Sequence, residues 1–106
     1  MTEHLQGTLE ELKSRFADLY GRRLRGVYVF GSVARDEADE ESDIDILVVL
    51  DQMNSYAAEV SRTSHAVAEL SLECGRSISC VYTTEEKWRS DQSMFLINVR
   101  EEAVPA

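Results

Sequence analysis

The sequence predicts one domain in which amphipathic helices alternate with short strands, and three features carry that expectation. Apolar residues recur at helical spacing over residues 5–19 and again over 56–74. Three short β-rich runs, GVYVF, DIDILVVL and SISCVY, lie between and after those stretches. At 106 residues the chain has room for a single core, so the domain is expected to span 1–106.

Taken in order, Leu5, Leu9, Leu12, Phe16 and Leu19 fall on one helical face. Thr8 with Glu11 has the pattern of a capping box, which puts the firm start of this helix near residue 8, and Gly21 is a plausible stop. Gly26–Phe30 reads as a strand running straight into Gly31-Ser32. Asp43–Leu50 reads as a second strand, apolar at every position beyond Asp45 and therefore covered on both faces, as a central strand is. Asn54–Cys74 carries Tyr56, Val60, Thr63, Val67, Leu70 and Cys74 on one stripe and ends at Gly75. Ser77–Tyr82 is a third strand. Thr83-Thr84-Glu85-Glu86 looks like another helix start, and Trp88, Phe95 and Val99 suggest a last helix packed on the core rather than a base-stacking platform. The tail Ala103–Ala106 either adds an edge strand or frays.

Composition narrows the classes. An apolar share of 43% and a charged share of 29% suit an ordinary globule. No apolar run approaches the ~20 residues that span a bilayer, and MTEHLQGTLEELKSRF lacks a signal pattern, so a cytoplasmic location without membrane attachment is expected. A net charge of −9 argues against a broad nucleic-acid surface. Arg22, Arg23 and Arg25 form a local basic cluster, either a solvated helix end or an anion contact. Cys74 and Cys80 have no zinc-ligand spacing and read as buried thiols. His4 and His65 have no neighbours that suggest a role.

The chemistry concentrates in GSVARDEADEESDID, residues 31–45. Residues i and i+2 of a strand share a face about 6.5–7 Å apart, so Asp43 and Asp45 project side by side. Two carboxylates at that distance repel by roughly 2–3 kcal/mol at an effective dielectric near 20. Either one takes a proton or a divalent cation sits between them, and all-oxygen ligands favour Mg²⁺ or Mn²⁺ over zinc. The plainer reading leaves Asp43 as a solvated turn residue. A calcium loop fails, because Ile44 and Leu50 stand where its glycine and closing glutamate belong. Gly31-Ser32 reads by itself either as an N-cap or as a phosphate cradle. Together, a phosphate half and a metal half ten residues apart suit metal-assisted nucleotidyl transfer.

Gly31-Ser32, ten residues, then Asp43-Ile-Asp45 and a hydrophobic strand, within the wider FGSVAR and SDIDILVV, resemble the minimal nucleotidyltransferase (MNT) family of the DNA polymerase beta-like superfamily. The likeness extends over nearly the whole chain and is sharpest over residues 30–50. It implies an α+β fold, with a small mixed sheet that carries the site and helices packed against it. It also implies ATP as the usual substrate, Mg²⁺ as the metal and an antitoxin-like pairing with a HEPN-type RNase toxin that receives AMP. Carried onto this chain, Gly31 and Ser32 bind nucleotide phosphates and Asp43 and Asp45 hold Mg²⁺. Arg35 either meets a phosphate or pairs with the acidic run Asp36, Glu37, Asp39, Glu40 and Glu41, which is either a solvated loop or a dock for a basic partner.

The superfamily usually adds a third carboxylate on the next core strand. Here that strand reads Ser77-Ile-Ser79-Cys80-Val-Tyr82, with Ser79 or Cys80 in the expected place, and Glu73 and Glu85 only flank it. Losing a general base costs about 10²–10⁴-fold. Two readings follow: a Mg²⁺-dependent adenylyltransferase acting on a partner protein, or a non-catalytic nucleotide-binding module that neutralises its partner by complex formation. Either calls for a second protein, and the copy number of the assembly is open.

Overall fold

The computed structural model describes residues 2–39 and 41–106. Glu40, part of the acidic run, lies outside them. Helix α1 spans Glu3–Tyr20, followed by a 3₁₀ turn at Gly21–Arg23, β1 at Leu24–Phe30 and the one-turn helix α2 at Gly31–Ala34. Then come β2 (Ile44–Leu50), α3 (Tyr56–Cys74), β3 (Ile78–Thr84), α4 (Glu85–Ser90), α5 (Met94–Glu102) and the short β4 (Val104–Pro105). The sheet order is β3-β2-β1-β4, with β2 parallel to β3 and antiparallel to β1, and β4 antiparallel to β1. This is the mixed-sheet α+β fold that the family resemblance implies.

β2 is central, and its burial explains its composition. Ile44, Ile46, Val48 and Leu50 face α1 and α3, joining Leu12, Phe16, Val29 and Leu70 in the main core. Leu47 and Val49 point the other way into a smaller core with Tyr28, Phe30, Trp88 and Val99. Each fully buried side chain of this size contributes about 1.5–3 kcal/mol. The second core is thinner because only the short α4 and α5 cover it. Asp45 lies on this second face at the leading end of β2, and Asp43 just before the strand.

Several boundaries differ from the sequence expectation for physical reasons. The α1 cap is Thr2, whose hydroxyl accepts from the Leu5 amide, whereas Thr8 is buried mid-helix and donates to the His4 carbonyl. Tyr20 is buried and Leu19 is 43% exposed, because the last turn rotates Tyr20 toward α3. On α3 the buried stripe is Glu59, Thr63, Ala66 and Leu70, with Tyr56 and Val60 near half exposure. Glu59 can be buried because Tyr20 Oη (2.9 Å), Arg23 (3.2 Å) and Arg62 (3.3 Å) all reach its carboxylate. Arg23 thus turns inward instead of forming a free basic cluster, and it also pairs with Asp51 at 3.3 Å. The expected single last helix is two: Asp91 is extended, and the Ser93 hydroxyl caps α5 by accepting from the Leu96 amide. The tail forms the edge strand, tied by the Ala106 amide donating to the Val27 carbonyl at 3.0 Å.

Among the described residues no helix is long and apolar enough to cross a membrane. Cys74 and Cys80 are free thiols, and burial pushes the Cys80 thiol up to about 12.

Candidate active site

The fold brings Gly31, Ser32, Asp43 and Asp45 to one end of the sheet. β1 ends at Phe30, directly beside Asp45 of β2, so the start of α2 sits against the Asp45 side chain. Gly31 has φ +75, and a Cβ added there would collide with the Asp45 carboxylate, its Cγ lying 3.2 Å away. The backbone angle favours glycine, and any side chain here would displace the Asp45 carboxylate. The sequence suggested only its use toward a phosphate.

The two aspartates are not equivalent. Asp43 precedes β2 and is exposed, while Asp45 is in the strand and half-buried. Burial raises the Asp45 carboxyl above the usual range, with the negative charges of Asp43 and Glu102 adding to it and Arg35 opposing. A group held in that way is stabilised by a cation. Oxygen donors from one or two carboxylates, completed by substrate phosphates, are the usual environment of Mg²⁺, and Asp43 and Asp45 fit it. Among the described residues no third His, Cys, Asp or Glu joins them in a protein-only metal cluster.

The loop before Asp43 is held by a residue the sequence did not flag. Arg76 donates from Nε and Nη2 to the Ser42 carbonyl at 3.0 and 2.8 Å, and from Nη2 to the Asp39 carbonyl at 3.3 Å. Asp39 in turn accepts from the Glu41 amide at 2.9 Å and the Ser42 hydroxyl at 3.1 Å. No motif marks Arg76; only the parallel pairing of β2 and β3 brings it there.

On the other flank, Asp45 is in register with Ser79 of β3, and the two share the sheet face of Leu47 and Val81. Of the two residues where the family resemblance implies a further acid, Ser79 is thus the one on the Asp45 face. Cys80 points to the opposite face, into the main core. Glu73 is exposed, and Glu85 pairs with Arg25 and Arg89.

Arg35 pairs with Glu37 at 3.1 Å, as one reading of the acidic run allows, and with Glu102 of α5 at 2.6 Å. The same Glu102 carboxylate accepts from the Gly31 amide at 3.2 Å. Glu102 is the site residue that sequence reading missed, since it stands 71 positions from Gly31 and belongs to no motif. Trp88 packs on Tyr28 in the smaller core, while Phe95 meets Phe30 edge-on and stays 46% exposed. A cleft lined by Thr2, Leu5, Val33, Asp36, Asp39 and Arg76 opens beside the first turns of α1, and none of Ser32, Asp43 or Asp45 lines it.

Known proteins share the sequence family and fold of this chain. The profile of the family described as "Nucleotidyltransferase domain" matches residues 9–103. The chain belongs to that family, whose chemistry is nucleotidyl transfer. A Methanocaldococcus jannaschii protein bearing the name "Putative protein adenylyltransferase" is 32% identical over 78 residues, covering 74% of this chain and 72% of that one. A solved structure described as a "putative minimal nucleotidyltransferase" superposes with a TM-score of 0.69 at 28% identity, over 98% of this chain and 94% of that chain. A toxin–antitoxin crystal structure with AMP-PNP shares the fold at 19% identity, with a TM-score of 0.63 over 91% of this chain and 70% of that one.

Proposed function

We propose that residues 1–106 act as one Mg²⁺-dependent adenylyltransferase domain that moves AMP from ATP to a protein acceptor. Gly31, Ser32 and Arg35 receive the phosphates in this reading, and Asp43 with Asp45 holds the metal. The observation that carries it is the half-buried Asp45 carboxylate, set against Gly31 with Asp43 two residues before it, a placement unfavourable for the chain alone and favourable once a cation arrives. Bound Mg²⁺ supplies charge neutralisation at the phosphates. The chain's own residues hold it, bind the phosphates and keep the sheet end open to an acceptor.

The acceptor in this proposal is a HEPN-type partner, which makes the chain the antitoxin of a toxin–antitoxin pair. The likeness of fold to a chain solved in a toxin–antitoxin complex supports that choice. Ser79 beside Asp45 favours a second reading, a nucleotide-binding module that neutralises its partner without transfer.

The test is incubation with labelled ATP, Mg²⁺ and the product of the adjacent reading frame. Label on the partner that disappears in Asp43→Ala supports transfer. Binding of Mg²⁺–ATP with no label on either protein supports the second reading. If neither the chain nor its complex binds Mg²⁺–ATP at millimolar concentration, both fall.

A further inference from the structure

We propose that Glu102 is an internal anion that closes the phosphate seat and is displaced when a nucleotide enters. This rests on the reading of Gly31 and Arg35 as phosphate-binding groups and adds a competitor built into the same chain. The Gly31 amide donates to Glu102 Oε1 at 3.2 Å and Arg35 Nη1 donates to Glu102 Oε2 at 2.6 Å. One carboxylate therefore takes both donors at once, in the bidentate manner of a phosphate oxygen pair.

Position separates this role from that of a substitute acid. Glu102 reaches the site from the β1–β4 side, through Gly31, whereas the position lacking an acid, Ser79, lies across β2 on β3. The backbone around Glu102 is fixed on both sides. The Ala103 amide closes on the Val99 carbonyl at 2.8 Å, and Val104 pairs with Val29 in β4. Opening the seat then needs only rotation of the Glu102 side chain, with no unwinding of α5. A triphosphate, with more charge and more acceptor oxygens, takes the two donors, and Glu102 swings to solvent.

Isothermal titration of the full chain distinguishes the possibilities, using ATP and inorganic tripolyphosphate as probes, each with and without Mg²⁺. Glu102→Ala is expected to bind both probes about five- to tenfold more tightly than the unmodified chain. Glu102→Gln, which keeps the shape but not the charge, is expected to fall between them and decides the matter if the alanine variant does not fold. Equal or weaker binding by the variants, with binding by the unmodified chain intact, overturns the plug and makes Glu102 a positioning residue for Arg35. If the unmodified chain and both variants all ignore both probes, the phosphate-site reading itself fails and the plug with it.

Discussion

Replacing Asp45 by Asn should make this protein more stable while removing the proposed metal site. Asp45 faces Asp43 and Glu102 from a half-buried position, and burial with those two charges raises its carboxyl. Asp43 stands just before β2, so the in-strand spacing of about 6.5–7 Å sets an upper bound on its repulsion with Asp45 of about 2.5 kcal/mol at a dielectric near 20. Asp43 is exposed, so solvent screening reduces this to about 1 kcal/mol. For a domain of this size 1 kcal/mol corresponds to a Tm shift of about 4–8 °C.

The pH dependence has a definite sign. The folded state holds the Asp45 proton more tightly than the unfolded chain, so stability is lost as pH rises through the raised folded value. Asp45→Asn should therefore exceed the unmodified protein in Tm by about 5 °C at pH 7, with the gap closing below about pH 4. Thermal melts across pH 3.5–8 measure this, and melts at pH 7 with Mg²⁺ and ATP should stabilise only the unmodified chain. A lower or unchanged Tm for Asp45→Asn at pH 7 would refute the account of Asp45 as a strained charge.

Gly31→Ala should lose about 1–2 kcal/mol from the positive φ alone, and Mg²⁺–ATP binding should fall further because Asp45 is pushed aside; melts and titration read the two effects. Glu59→Ala leaves Tyr20, Arg23 and Arg62 without their shared acceptor, and should cost about 2–4 kcal/mol in urea unfolding while nucleotide affinity stays unchanged, since Glu59 lies at the far end of β2. Cys80, pushed up to about 12, should stay unreactive to a thiol reagent at pH 8 until the protein unfolds. Ser79→Asp should lower Tm without metal, regain it with Mg²⁺, and raise transfer at least tenfold if a missing base limits it; unchanged transfer rejects that limit.

What the sequence made legible is what local pattern encodes. The uninterrupted apolar run after Asp45 announced a central strand, and Gly75 announced the end of α3, which it closes with φ +70. Gly31-Ser32 and Asp43-Ile-Asp45 were readable as a pair because a turn and a strand start place them by short-range geometry. Glu59 was not readable, because its burial depends on three partners from two other segments. Arg76 and Glu102 were hidden for the same reason: each reaches the site through the sheet pairing, with its target tens of residues away. The split of α4 from α5 turned on Asp91 and Ser93, whose mutual hydrogen bond competes locally with helix.

The distribution of carboxylates around β2 then connects the two open questions about the site. On the β1 side an acid, Glu102, stands at the proposed phosphate seat, and on the β3 side a hydroxyl, Ser79, stands where the family resemblance implies an acid. In the proposed reading both departures lower activity in the isolated chain, one through binding and one through proton removal. They are also the two changes that a partner can reverse: an acceptor docked over Ser79 can bring its own base, and nucleotide binding can open Glu102. If the proposed reading holds, transfer depends on the complex more than nucleotide affinity does. Measured side by side, Glu102→Ala should improve binding with or without the partner, whereas Ser79→Asp should improve transfer most where the partner is a poor one. Reversal of that pattern would show that the two sides of β2 are not separate functions.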